Sequence, residues 1–221
     1  MAVSQADSTV MVADTAVQVE KRQFLRPGIY IDYGKLALSF TEMESKYTAG
    51  LELVFLEKII LSAEAGQMTL NPRESFENID YESTGTYFKA GGGYITEFKQ
   101  GFNLGILARY GESQFSDEGL IEIIDQTGIV ADYSRSFSRQ DLKGSWYEIV
   151  LQSEKRLQLN KDFPESWLNT TFSLGFYFQL RVLLAYDQQP GVDVNNIPGY
   201  GRSFDNTVPA FNLFVKINPQ F

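Results

Sequence analysis

The stretch TVPAFNLFVKINPQF, residues 207–221, decides the fold of this chain. Successive side chains of a β-strand point to opposite faces, so residues two apart share a face. Apolar residues occupy one set of alternate positions, namely Phe211, Leu213, Val215, Ile217 and Phe221. The positions between them are mostly polar: Asn212, Phe214, Lys216, Asn218 and Gln220. The pattern predicts a strand with one apolar face and one mostly polar face.

The same period of two recurs along most of the chain. It predicts seven further strands, at about 28–40, 47–56, 59–70, 81–95, 101–115, 142–156 and 170–186. With the closing strand, these predict an all-β fold, an eight-stranded antiparallel up-and-down β-barrel. A hairpin pattern around Asp125-Gln126-Thr127-Gly128 would either extend the barrel wall outward or add two strands, which makes a ten-stranded barrel the second choice.

The apolar faces favour a transmembrane barrel. No run of about 18 apolar residues is present, which excludes transmembrane helices. The strand at 170–186 bears apolar residues from Phe172 to Tyr186, about 46 Å of strand, or about 35 Å along the barrel axis at a tilt near 40°. That length matches a bilayer with its interfaces. The alternative is a soluble, lipocalin-like ligand-binding barrel, which would place the apolar face inside.

Loop lengths predict the orientation. Two short links, Glu57-Lys58 and 96–100, follow even-numbered strands, while the two longest loops, 116–141 and 187–206, follow odd-numbered ones. Outer-membrane barrels have short periplasmic turns and long outer loops. We therefore expect both termini in the periplasm. Labels should then reach Gln126 and Val194 from outside the cell, but not Glu97.

Residues 1–26 show no signal-peptide pattern. Apolar residues at Val10, Met11, Val12, Val17 and Val19 leave a short strand as the alternative. We expect a flexible periplasmic arm over 1–26, on a mature polypeptide whose export signal is already absent. Residues 27–221 then form the outer-membrane barrel.

Composition limits the chemistry. The chain contains no His and no Cys, which excludes Ser–His–carboxylate and thiol mechanisms. We therefore expect no enzymatic activity and no cofactor. The four predicted outer segments, 41–47, 71–82, 116–141 and 187–206, hold 15 acidic and 5 basic residues, which accounts for the net charge of −9. This field disfavours nucleic acid. It leaves open either a solvated loop surface or divalent cations that bridge to lipopolysaccharide phosphates.

Strand parity predicts charges inside the barrel. Four acids and four bases face inward: Asp32, Glu52, Glu64, Glu148, Lys89, Arg109, Arg181 and Lys216. The interior of an eight-stranded barrel is just wide enough to be filled by side chains. These residues should therefore form a charge network that closes the lumen. On this basis, replacing Arg109 or Arg181 by Ala should cost roughly 3 to 5 kcal/mol.

Two resemblances bear on location. The closing strand, through Phe211, Leu213, Val215, Ile217 and Phe221, resembles the terminal signal that the outer-membrane barrel assembly machinery recognises. Four stretches, RPGIYIDY (26–33), TGTYFKAG (84–91), SWYE (145–148) and IPGYGRSF (197–204), resemble a family of small uncharacterised outer-membrane β-barrel proteins of Gram-negative bacteria.

The resemblance implies an outer-membrane location, with lipid and lipopolysaccharide around the barrel and other outer-membrane proteins as further partners. The family has no known activity to carry over, and since His-dependent catalysis is excluded we expect a structural or interaction role, for example as a subunit of a larger outer-membrane complex. A small passive pore is the alternative.

Overall fold

The computed structural model describes residues 24–38, 44–71, 79–99, 101–123, 133–157, 172–188, 194 and 196–219. Eight antiparallel strands close into a barrel, in the order β1-β10-β7-β6-β5-β4-β3-β2 around the ring. Its strands are β1 (Leu25–Asp32), β2 (Glu44–Phe55), β3 (Ile59–Leu70), β4 (Ile79–Lys99), β5 (Phe102–Ile123), β6 (Tyr133–Arg156), β7 (Phe172–Tyr186) and β10 (Thr207–Ile217). The remaining elements are helix α1 (Tyr33–Leu38) and a two-stranded sheet of β8 (Asn196–Ile197) and β9 (Gly201–Arg202). The predicted all-β, eight-stranded up-and-down barrel is confirmed. None of the helical segments in the described ranges is long and apolar enough to cross a bilayer.

The wall is much taller on one side. Strands β4, β5 and β6 have 21, 22 and 24 residues, whereas the other barrel strands have 8 to 15. Their outer ends, residues 79–83, 117–123 and 133–142, form what we call the projecting wall. The segment expected as a hairpin loop at 116–141 thus belongs to β5 and β6 in its described parts. It lengthens existing strands, so the ten-stranded alternative is wrong.

The seam between the first and last strands is short. Strand β1 pairs with β10 only from Ile29 to Asp32, opposite residues 214–217, and with β2 only up to Ile31 opposite Ala49. The chain then turns into α1, which contacts both β2 and β10. The predicted first strand, 28–40, was therefore too long. Its second half, GKLAL, is rich in good helix formers, and this helix replaces a strand between β2 and β10.

The β2–β3 turn is tight and strained. Leu56 and Glu57 both have positive φ, 50° and 59°, and Lys58 N donates to Phe55 O at 3.0 Å. This is the geometry of a type I′ hairpin, which Asn-Gly fits best. An L-residue with left-handed backbone costs about 1 to 2 kcal/mol.

Replacing Leu56-Glu57 by Asn-Gly should therefore stabilise the hairpin by about 1 kcal/mol. Chemical denaturation would measure this gain as a higher unfolding midpoint. Glu57→Ala is the matched control, because Ala gains little freedom at positive φ. If the Asn-Gly variant were no more stable than Glu57→Ala, the turn would not store strain.

The long β7–β10 connection folds inward in its described part. Val194 and residues 196–206, which we call the plug loop, enter the outer end of the barrel. Val194, Ile197 and Tyr200 are each at most 2% exposed. The prediction that a label reaches Val194 from outside is therefore wrong, because the apolar residues of this loop pack into the barrel. Gln126 lies outside the described residues, and Glu97 is exposed near the short β4–β5 turn.

Candidate functional site: the charged barrel interior

The barrel interior is lined with charge. Among the described residues, six acids and six bases are buried. All eight residues with predicted inward parity are among them: Asp32, Glu52, Glu64, Glu148, Lys89, Arg109, Arg181 and Lys216. The other four are Lys46, Asp117, Arg139 and Glu154.

Glu148 is the centre of the larger cluster. Its carboxylate lies 3.0 Å from Lys89 Nζ, 2.7 Å from Arg109 Nη2 and 3.2 Å from Arg181 Nε. Trp146 Nε1 donates to the same carboxylate at 2.9 Å. Three cations, on β4, β5 and β7, and one indole N–H on β6 itself thus converge on one acid, which links these four strands through the lumen.

Glu64 shares two of those cations. Its oxygens lie 3.2 Å from Lys89 Nζ and 3.2 Å from Arg109 Nη1, and Tyr30 donates its hydroxyl at 3.1 Å. The cluster therefore contains two carboxylates and three cations. Charge-assisted bonds of this kind are the strong ones in a protein interior.

A second cluster lies toward the termini. Lys216 Nζ pairs with Glu52 at 2.5 Å and also binds Glu154. The Tyr177 hydroxyl donates to Glu52, and Gln152 Nε2 lies within 3.4 Å of both acids. Asp32 accepts a hydrogen bond from Asn212 Nδ2.

Apolar layers flank these clusters. Toward the short turns lies one group: Tyr30, Val54, Ile60, Ile95, Leu107, Val150, Tyr177 and Phe214. Toward the opposite mouth lies a second group, which includes the plug loop: Met68, Tyr87, Phe115, Leu142, Trp146, Val194, Ile197 and Tyr200. Gly111 makes room for one large ring, since a Cβ there would lie 2.3 Å from Trp146 Cε2. Rings and ion pairs together occupy the described interior between the two layers.

A third charged group anchors the plug loop to the projecting wall. Arg139 binds Asp117 at 2.7 Å through Nε, and the Tyr81 hydroxyl donates to Asp117 at 3.0 Å. Ser83 Oγ donates to Asn196 O at 3.2 Å. Tyr81 lies on the projecting wall. Burial is the main cause that raises the pKa of its hydroxyl well above the usual range, and the nearby Asp117 carboxylate raises it further. The hydroxyl therefore stays protonated and donates.

The outer surface is the reverse of the interior. On β7 the outward residues are Leu174, Phe176, Phe178, Leu180, Val182 and Leu184, all at least 38% exposed. On β5 they are Leu104, Ile106, Ala108 and Tyr110. No charged side chain interrupts either series, and similar residues continue on β2 and β6. A belt of exposed apolar side chains therefore surrounds a charged lumen.

The closing strand contributes to both faces. Phe211 and Ile217 are exposed, Leu213 and Val215 are half-buried, and Lys216 is buried. Phe221, the last residue of the proposed assembly signal, lies outside the described residues, as do residues 1–23 of the predicted arm.

Sequence reasoning missed four buried charges. Glu154 lies inside the predicted strand 142–156 and shares the inward parity of Glu148, so the pattern already placed it in the lumen, although it was left out of the charge network. Lys46 immediately precedes the predicted start of the second strand. Asp117 and Arg139 fell in a segment expected to be a loop, and only the extended strands bring them together.

No group of three acidic, His or Cys side chains in the described ranges could hold a metal ion. No curated protein and no solved structure matches the chain. A sequence family described as a domain of unknown function, DUF6048, matches residues 1–216. This match supports the predicted membership of an uncharacterised family. The chain belongs to the DUF6048 family.

Proposed function

We propose that this protein is an outer-membrane β-barrel with a structural or interaction role, without catalysis and with a closed lumen. The observation that carries the proposal is the uncharged apolar belt around a charged interior. A soluble barrel exposes its polar face to water and buries its apolar face. Here the two faces are exchanged, as a barrel surrounded by lipid requires.

The height of the belt supports the same location. From Leu174 to Leu184, ten steps of about 3.3 Å cover roughly 33 Å of strand, or about 25 Å along the axis at a tilt near 40°. Outer-membrane barrels carry an apolar band of about this height. Both termini would then lie on the periplasmic side, with the short turns.

The packed interior favours a scaffold over a passive pore. Rings from both apolar layers and two ion clusters occupy the described lumen, and Arg181 ties the plug loop to the wall by donating to Tyr200 O at 2.8 Å. Planar-bilayer recording tests this point. We expect no steady conductance, and a stable porin-like current would support the pore instead.

The projecting wall favours an interaction role. Its three strands extend beyond the barrel. The pairing of β6 with β7 ends at Gly144, so residues 133–142 form a sheet edge among the described residues. Such an edge can pair with a strand of another protein. Asp80, Glu82 and Glu118 give the wall an acidic face, which suits a basic partner in a larger outer-membrane complex.

Ile149→Arg tests the membrane location. Ile149 lies in the belt and is 52% exposed, and Arg near the bilayer midplane costs about 2 to 4 kcal/mol in such barrels. We expect this loss in urea unfolding from lipid vesicles, with less heat-modifiable protein on gels. Ser136→Arg, on the exposed projecting wall, is the control. Equal stability of both variants, or folding of the wild type without detergent or lipid, would contradict the proposal.

Phe221→Asp tests the assembly signal. A charged residue at the end of the closing strand should weaken recognition by the assembly machinery and lower the level of protein in the outer membrane several-fold. Immunoblots of membrane fractions measure that level. Gln220→Asp, at the neighbouring polar position of the sequence, adds the same charge as a control. Normal levels of the Phe221 variant would contradict a role of this residue in assembly.

A further inference from the structure

A cavity of about 450 Å³ lies at the seam of the barrel, near the outer mouth. Its walls come from β2 and β3 on one side, from β10 on the other, and from the plug loop. The side chains that matter here are Lys46, Arg181, Arg202, Asp205, Met68 and Phe211.

The barrel wall beside this cavity is not a continuous sheet. At this level β2 and β10 have α1 between them, since β1 ends its pairing at Asp32. Pro209 lies in this part of β10, and proline, which has no N–H to donate, is confined to sheet edges, strand starts or bulges. Among the described residues, α1 packs between β2 and β10 at this level, and no backbone ladder joins those two strands. Such packing can open without unpairing strands.

The cavity is basic in an otherwise acidic outer region. Three cations, Lys46, Arg181 and Arg202, face one acid, Asp205, whereas the outer segments as a whole carry 15 acids and 5 bases. Arg181 is held in place by Glu148, Gln179 and Tyr200. Guanidinium and ammonium groups that line one cavity together bind phosphate oxygens strongly.

Apolar residues lie directly beside these cations. Met68 borders the cavity, and Phe211, which also lines it, is 54% exposed on the outer belt. A ligand that filled the site would thus meet cations inside and an apolar surface outside. A phosphate head group with acyl chains has this shape and charge.

We propose that the seam cavity binds the phosphate group of an outer-leaflet lipid, which enters sideways between β2 and β10. This inference rests on the proposed membrane location and adds a ligand to it. The acyl chains would lie along the belt near Phe211, and the phosphate would contact Lys46, Arg181 and Arg202.

Native mass spectrometry of the detergent-refolded protein tests the site. The probes are dioleoylphosphatidic acid, dioleoylphosphatidylcholine and inorganic phosphate. We expect one phosphatidic acid to be retained, and Arg202→Gln and Lys46→Gln each to weaken its binding roughly ten-fold through loss of a charged hydrogen bond. Arg202 is exposed, so its variant should fold normally. Arg135→Gln, an exposed arginine on the projecting wall, is the matched control.

A disulfide tests the route of entry. A Cβ at Gly34 would lie 3.1 Å from Leu213 Cβ, close enough for Gly34→Cys with Leu213→Cys to cross-link α1 to β10 after a small shift. The oxidised protein should load phosphatidic acid at least ten-fold more slowly, and dithiothreitol should restore the rate. Equal loading rates would overturn sideways entry.

The remaining outcomes are distinct. Inorganic phosphate that binds as tightly as phosphatidic acid would indicate a free-anion site and overturn the lipid assignment. An inserted, heat-modifiable barrel that retains no lipid, or that loses it equally in Arg135→Gln, overturns this inference alone. A chain that folds in water without detergent overturns the proposed function as well.

Discussion

Glu148→Ala should destabilise the barrel by about 3 to 5 kcal/mol, the usual cost of breaking a buried ion pair. This carboxylate accepts hydrogen bonds from Arg109 and Trp146 and forms ion pairs with Lys89 and Arg181. Without it, Lys89 and Arg109 would share the single carboxylate of Glu64, and Arg181 would lose its ion pair. Urea unfolding from lipid vesicles, followed by tryptophan fluorescence, measures the loss.

Arg109→Ala should cost less, about 1.5 to 3 kcal/mol, the range for lost hydrogen bonds to charged groups. Parity in the sequence suggested 3 to 5 kcal/mol, because it paired each base with one acid. In the structure, Glu64 keeps Lys89 and Glu148 keeps both Lys89 and Arg181 after this change. The order of the two variants therefore tests whether Glu148 is the centre of the network.

Two controls accompany these variants. Glu118→Ala removes an exposed acid of the projecting wall and should change stability by less than about 0.5 kcal/mol. The double variant Glu148→Gln with Arg109→Gln keeps the net charge of the cluster. Its loss of stability should therefore be smaller than the sum of the losses in Glu148→Gln and Arg109→Gln measured singly. A Glu148→Ala protein as stable as the wild type, or less affected than Arg109→Ala, would rule out this role.

Alternation in the sequence was sufficient to predict the barrel. A period of two assigns every residue of a strand to one of two faces, so the inward positions of Glu64, Arg109 and Glu148 followed directly. The closing strand was also correct over its described length, because its two faces differ so clearly in polarity.

Features that depend on distant contacts could not be predicted in this way. Alternation continues through Tyr33 and Gly34, yet the chain forms a helix there, and only the position of β10 decides that. The hairpin pattern around Asp125-Gln126-Thr127-Gly128 left an extended wall open, but Asp117 and Arg139 look like loop residues until strands of unusual length pair them. The plug loop did have a local signal, since Val194, Ile197 and Tyr200 recur at every third residue in a polar segment.

Gly199→Ala should release the plug loop. Gly199 has φ of +82°, and a Cβ there would lie 2.5 Å from Tyr87 Cγ, in the ring that packs beneath the loop. Left-handed backbone alone costs an L-residue about 1 to 2 kcal/mol, and the contact with Tyr87 adds to it. Opening of the loop should therefore become roughly ten-fold or more frequent, since 1.4 kcal/mol corresponds to a factor of ten.

The measurement uses a cysteine at a residue of the plug loop that is buried when the loop is closed. Val194 is 2% exposed, so a membrane-impermeant maleimide should label Val194→Cys slowly, and much faster when Gly199→Ala is added. Gly101→Ala is the matched control, because Gly101 has a similar φ of +73° but its nearest neighbour would be 3.8 Å from the new Cβ. It lies at the opposite end of the barrel and should leave the labelling rate unchanged. Rapid labelling of Val194→Cys alone, or equal acceleration by both glycine variants, would mean that the loop does not close the mouth.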